Sequence, residues 1–161
     1  MRICVTAGCA EGPTALAAFD AALLQTGAAN YNLILLSSVI PPGCSIERAR
    51  FVTPPDEYGH RLYVVLARHD EHEIGSEAWA GLGWTQEPAS GRGLFVEAHG
   101  QSEHSVGEYI DATLTSMVAT REYPYGSFER EIVGITCHGQ PVCAVVLAVY
   151  RSEPWELEPE R

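Results

Sequence analysis

Runs of apolar residues, alternating or continuous, divide the chain into seven predicted strands and two predicted helices. The strands are predicted at residues 2–7, 31–36, 61–67, 78–84, 93–97, 131–137 and 142–150, with a shorter extended piece at 46–52. The order β α β β β β α β β predicts a single α+β domain over residues 1–161, a layered sandwich with helices outside mostly antiparallel sheets.

The first predicted helix begins at Pro13, a favourable first helical residue, and runs to about Gln25. Residues 8–12 are predicted to form the turn before it, and Gly27 is well placed to end it in a left-handed conformation.

The second predicted helix begins at Ser105, because Ser105 and Glu108 have the spacing of a capping box. Val106, Ile110 and Leu114 recur at helical spacing and form its apolar face.

Asp20 interrupts the apolar face predicted for the first helix, which consists of Leu16, Phe19 and Leu23. A buried carboxylate there would cost several kcal/mol without a partner. Either Asp20 lies at the edge of the face and reaches water or an arginine, or it awaits a cationic ligand.

Glu97 ends the apolar run of the segment GLFVEAHG, and strand alternation places it on the same face as Phe95 and His99. Burial would favour the protonated form of its carboxyl, which could then act as an acid near neutral pH. A solvated residue at a strand end is the alternative.

Asn32 lies inside a hydrophobic strand, where asparagine is uncommon. The residue either has a local hydrogen-bonding task or occupies a strand edge.

The segment NYNLILLSSVIPPG, residues 30–43, carries the serine pair Ser37 and Ser38 between a strand and two prolines. Pro41 and Pro42 stop the strand from continuing. The serines either mark the place where a strand ends in a turn, or they mark a site where the chain cleaves itself.

Net charge and basic-residue type narrow the function. The net charge of −11 disfavours nucleic acid as a partner and favours a cationic ligand. All ten basic residues are arginine, so the chain has no lysine. A pyridoxal phosphate enzyme and a P-loop nucleotide site both need a lysine, and both are excluded.

The remaining composition indicates a reducing compartment. No apolar run reaches the roughly 18 residues of a membrane span, and the first residues, MRICVTAG, resemble a strand rather than a signal peptide. The five cysteines are an odd number without CxxC spacing, which favours free thiols. We therefore expect a cytoplasmic protein with no membrane partner.

The histidines lack the spacing of a metal site. His69 and His72 belong to residues 69–73, HDEHE, which are predicted to be a charged turn, and neither they nor His99 and His104 form an HExxH motif. We expect no metal cofactor.

Residues 8–43, GCAEGPTALAAFDAALLQTGAANYNLILLSSVIPPG, closely resemble the pyruvoyl-dependent arginine decarboxylases. The family signature combines an EG-x-T-x-L-x-AFD-x-AL helix with an N-x-NLI-x-x-SS-x-x-PP strand, and GLFVEAHG resembles the family's later glutamate motif. This resemblance implies a layered αββα sandwich.

The resemblance also implies a reaction: decarboxylation of L-arginine to agmatine and CO₂. The chain would cleave itself between Ser37 and Ser38 into chains 1–37 and 38–161, and Ser38 would become a covalent pyruvoyl group that replaces pyridoxal phosphate. That group would form a Schiff base with the substrate amine. Glu97 would donate a proton, Asn32 would polarise a carbonyl during processing, and Asp20 would bind the guanidinium.

The resemblance further implies a homotrimer, or a hexamer, with sites between subunits. Trp79 and Trp84 would then lie at an interface or, alternatively, in the core. Two other functions stay open: an uncleaved trimeric binding or scaffold protein of the same fold, and a decarboxylase for another cationic amino acid.

Overall fold

A computed structural model describes residues 1–156 of the chain, which form two β-sheets packed face to face with one helix on the outer side of each. The elements, in chain order, are β1 (Arg2–Glu11), α1 (Ala15–Thr26), β2 (Asn32–Leu35), β3 (Val39–Ile40), β4 (Ser45–Arg48), a 3₁₀ turn (Pro55–Glu57), β5 (Arg61–Glu71), β6 (Glu77–Gln86), β7 (Gly93–Gly100), α2 (Glu103–Ala119), β8 (Glu129–Thr136) and β9 (Val142–Glu153).

The first sheet has the order β2-β5-β9-β1-β4 and the second has the order β3-β7-β6-β8. The β1–β4 and β2–β5 pairs are parallel, and the other pairs are antiparallel. The α+β class and the αββα sandwich with mostly antiparallel sheets are confirmed.

The main core lies between the two sheets. Val65, Ala148 and Phe95 are fully buried there, and Trp84 is 4% exposed. Trp84 is thus a core residue, while Trp79 packs between the second sheet and α2. Within the described residues 1–156, no helix is both long and apolar enough to cross a membrane.

The first helix begins later than the sequence predicted. β1 continues through Glu11 and absorbs the predicted turn, because its residues pair with β9 as far as Val142. Thr14 caps α1 by accepting a hydrogen bond from the Ala17 N–H, so Pro13 lies before the helix rather than at its first position. The predicted end is confirmed, since Gly27 has a φ of 88°.

The buried face of α1 was predicted correctly at Leu23 and at Phe19, which packs against the core, but not at Leu16. Ala18, Ala22, Leu23 and Thr26 are buried, whereas Leu16 is 72% exposed. The reason is close approach: a Cβ at Gly8 of β1 would lie 2.4 Å from the Ala22 carbonyl oxygen. A helix this close to the sheet presents mainly small residues to it, and Leu16 and Leu24 are turned outward.

Other boundaries moved as well. Residues 69–71 belong to β5 instead of a charged turn, because they pair with β9. The predicted strand at 46–52 shortens to β4, and the predicted strands at 31–36, 78–84, 93–97, 131–137 and 142–150 are found with shifted ends.

The second helix begins at Glu103, with Ser102 as its N-cap, rather than at Ser105. The Ser102 side chain accepts the Ser105 N–H, so Ser105 is the residue being capped. The predicted apolar face is confirmed: Val106, Ile110 and Leu114 are at most 1% exposed.

Candidate active site

The serine pair lies where the chain crosses from the first sheet to the second. The Leu36 N–H donates to the Val64 carbonyl of β5 at 2.9 Å, which ends the backbone pairing with the first sheet. Two residues later the Phe95 N–H of β7 donates to the Ser38 carbonyl at 2.8 Å, which begins the contact with the second. The bond between Ser37 and Ser38 therefore bridges the two sheets.

Ser38 is the central residue of a three-residue turn. The Val39 N–H donates to the Ser37 carbonyl oxygen at 2.6 Å, the i to i+2 pattern of a γ-turn. This bond polarises the carbonyl that the Ser38 hydroxyl would have to attack. Pro41 and Pro42 follow the short strand β3, and both are exposed.

Glu97 faces Ser38 from the middle of β7. The Ser38 hydroxyl donates to the Glu97 carboxylate, with Oγ 2.5 Å from Oε1. Glu97 is half-buried and follows Phe95, a residue of the core between the sheets, by one strand period. The structure thus brings together two residues that the sequence indicated separately.

Tyr150 completes this cluster, and the sequence analysis missed it. Its hydroxyl donates to the Val39 carbonyl at 2.9 Å, and its ring lies 6.4 Å from that of Phe95, centre to centre. Burial, followed by the nearby Cys44 and Glu97, raises the pKa of Tyr150. The phenol therefore stays protonated and acts as a donor.

His99, two residues after Glu97 on β7, contacts a histidine of the other sheet. The Nδ1 atoms of His69 on β5 and His99 on β7 are 3.1 Å apart, joining the two sheets. Burial and the neighbouring His99 lower the pKa of His69. Within residues 1–156, no group of three or more His, Cys, Asp or Glu side chains is arranged to hold a metal ion.

Asp20 is exposed, which corresponds to the alternative in which it reaches water and not to a position within the buried face. It lies on the outer side of α1 between Leu16 and Leu24, which are 72% and 54% exposed. The first sheet separates α1 from the space between the sheets, into which Glu97 points. Asp20 and Ser38 of one chain therefore do not lie together.

Asn32 is also exposed and lies on β2, at the edge of the first sheet. Its side-chain amide donates to the Gly59 carbonyl at 2.7 Å. In the unbroken chain the Ser37 carbonyl receives its hydrogen bond from Val39 and not from Asn32.

Comparison with known proteins identifies the family. A model of the family described as pyruvoyl-dependent arginine decarboxylase matches residues 2–154. This match and the layered sandwich place the chain among the pyruvoyl-dependent decarboxylases. Within that class, the chain belongs to the pyruvoyl-dependent arginine decarboxylase family.

Several relatives carry the name pyruvoyl-dependent arginine decarboxylase. The one from Halobacterium salinarum is 34% identical over 153 residues, covering 92% of this chain and 93% of the relative. The one from Thermococcus sibiricus is 32% identical over 144 residues, covering 89% and 90%. The one from Methanothermobacter thermautotrophicus is 56% identical over 41 residues, covering 26% and 27%.

Proposed function

We propose that this protein cleaves itself at Ser38 and then decarboxylates L-arginine to agmatine and CO₂. The observation that carries the proposal is the contact of the Ser38 hydroxyl with Glu97, 2.5 Å apart, beside a polarised Ser37 carbonyl. The family match over residues 2–154 supports the substrate. It does not favour an uncleaved binding protein or a different cationic amino acid.

Glu97 is well placed to act as the base in cleavage. It takes the Ser38 hydroxyl proton while Oγ bonds to the Ser37 carbonyl carbon, the peptide C–N bond breaks and the Ser38 nitrogen gains a proton. The resulting ester loses the Cα proton of residue 38, and the Ser37 carboxylate leaves. Water then converts the dehydroalanine to a pyruvoyl group and releases ammonia, so the whole change consumes one water molecule.

The residues around Ser38 fit the pyruvoyl group that the family implies, since the side chain that would become its methyl group already lies against Glu97. The group supplies a ketone that reacts with the substrate amine and accepts the electrons released with CO₂. Glu97 then returns a proton to the substrate Cα. Its position beside residue 38 suits both tasks.

Denaturing mass spectrometry of the purified protein tests this proposal directly. We expect two chains, residues 1–37 and residues 38–161 with a pyruvoyl mass at the new terminus, and a single intact chain from Ser38→Ala. A wild-type protein that remains one unmodified chain, or a Ser38→Ala variant that is cut, would show the assignment to be wrong.

For the substrate site, we propose that Asp20 comes from a second copy of the chain, in a homotrimer that can associate further into a hexamer. Asp20 lies in an exposed stripe with Leu16 and Leu24, and Leu35 and Val39 near the cleavage site are 65% and 56% exposed. Exposed apolar residues around a carboxylate suit a surface that a neighbouring subunit covers. A covering subunit would remove water from Asp20, which would strengthen the two parallel hydrogen bonds that its carboxylate accepts from a guanidinium.

Coexpression of two inactive variants tests the shared site. Asp20→Asn chains retain Ser38 and Glu97, and Ser38→Ala chains retain Asp20. Mixed oligomers should regain activity that neither variant has alone, whereas no recovery would overturn the shared site.

We propose the cytoplasm as the compartment. The five cysteines are free, and three of them are buried, which is typical of proteins in a reducing environment. For self-cleavage we also propose a contribution from Asn32. Its side-chain amide would release the Gly59 carbonyl and donate a hydrogen bond to the Ser37 carbonyl instead.

A further inference from the structure

β9 contains an irregularity at the residue that contacts the cleavage turn. Val64 and Tyr63 of β5 are consecutive, but their partners on β9 are Val149 and Arg151, so Tyr150 is an extra residue. Such a bulge bends the strand locally and redirects a side chain, and bulges are common next to active sites. Tyr150 precedes this shift in facing: it lies on the same face of β9 as Val146 and Ala148 and packs against the main core between the sheets.

The phenol of Tyr150 reaches the turn from the first sheet, and β7 holds the turn from the second. Tyr150 donates to the Val39 carbonyl at 2.9 Å, and the Phe95 N–H donates to the Ser38 carbonyl at 2.8 Å. The N–H of Val39 closes the turn on Ser37 at the same time. Val39 is therefore fixed at both its N–H and its carbonyl.

We infer that Tyr150 is a positioning residue for self-cleavage, an inference that rests on the proposed function. By holding the Val39 carbonyl, its hydroxyl keeps the γ-turn closed. The closed turn keeps the Ser38 hydroxyl on Glu97 and next to the Ser37 carbonyl carbon. Tyr150 exchanges no proton in the step; the Ser38 proton still passes to Glu97 and then to the departing nitrogen.

Tyr150→Phe is the variant of choice, because it keeps the ring packed on Phe95 and removes only the hydroxyl. Tyr63→Phe is a matched control: its phenol donates to Glu153 at 2.6 Å on the same sheet, away from the turn. The chains are made in a short pulse of cell-free synthesis, and cleavage is followed by denaturing mass spectrometry. We expect Tyr150→Phe to cleave about threefold to tenfold more slowly, as for the loss of one neutral hydrogen bond, and Tyr63→Phe to cleave at the wild-type rate.

A second measurement isolates the first step. Hydroxylamine cuts the ester as soon as it forms, so the rate in its presence reports the attack of Ser38 on Ser37. Tyr150→Phe should be slowed in hydroxylamine by the same factor, with a melting temperature close to that of Tyr63→Phe.

Three results overturn the inference. One is a Tyr150→Phe chain that cleaves at the wild-type rate, and another is an equal slowing in Tyr63→Phe. A defect that disappears in hydroxylamine would also count against it, since the first step would then be intact. In each case a cleaved wild-type chain leaves the proposed function standing, whereas an unbroken wild-type chain overturns both together.

Discussion

Asp20→Asn tests whether the guanidinium of the substrate is bound between subunits, because the predicted loss differs widely between two arrangements. In the isolated chain Asp20 is exposed, and an exposed ion pair contributes about 0.2–1 kcal/mol. That corresponds to a loss in kcat/KM of about fivefold at most. If a second subunit covers Asp20, losing half of a buried charge pair costs about 2–5 kcal/mol, which is roughly 30-fold to several thousandfold.

We expect the larger loss, since Asp20 lies between the exposed Leu16 and Leu24. The assay is kcat/KM for L-arginine and for L-citrulline, whose urea group has the same shape without the charge. Asp20→Asn should bring L-arginine down towards L-citrulline and leave L-citrulline nearly unchanged. Asp111→Asn, which removes one charge from an exposed position on α2, controls for net charge. A loss below fivefold, or an equal loss in the control, would refute the interface site.

Three further variants probe the site and the fold. The sequence alone would predict that Glu97→Gln still matures, but the contact of Glu97 with Ser38 changes that prediction. Both cleavage, measured by mass spectrometry, and turnover, measured by CO₂ release, should fall by on the order of hundredfold or more. Cleavage at the wild-type rate would show that Glu97 is not the base. The pKa of His69 is lowered in the folded state, so the stability of the protein should fall as the pH drops below 6.5, the ordinary pKa of histidine. The melting temperature of His69→Gln should depend less on pH over that interval, after allowance for the neighbouring His99, Glu71 and Asp70. Gly83→Ala places a Cβ 2.0 Å from Ile110 Cγ2 and should lower the free energy of unfolding by about 1–3 kcal/mol, as measured in urea, while an unchanged value would mean that α2 shifts without cost.

The sequence predicted those parts of the fold in which large apolar side chains follow one period. The face of α2 was read correctly because Val106, Ile110 and Leu114 are bulky and no other stripe on that helix competes. The face of α1 was misread in part because two of its four buried residues are alanines, and two of its three leucines, Leu16 and Leu24, lie outside. Apolar character alone does not tell which face of a helix is close to its sheet.

The candidate site was also predicted only in part. Ser38 and Glu97 were both identified from the sequence, but their contact depends on the chain crossing between sheets. Strand alternation places Tyr150 on the same face of β9 as Val146 and Ala148, but it does not show that the Tyr150 hydroxyl meets the Val39 carbonyl, because that contact depends on how the chain crosses between the sheets. For Asp20 the sequence left two alternatives open, and the exposed position corresponds to the one in which the carboxylate reaches water; the sequence of one chain does not decide whether a second subunit covers it.

If the chain is cleaved as proposed, the crossing between the sheets has a consequence for the lifetime of the folded protein. Before maturation, Ser37 and Ser38 belong to one polymer, and refolding is unimolecular. After the proposed cleavage β1, an interior strand of the first sheet, would belong to a separate short peptide with no covalent tie to the rest. Recovery from denaturation then becomes a second-order encounter that slows on dilution, so the working life of the mature protein should depend on how slowly it unfolds and not on how well it refolds.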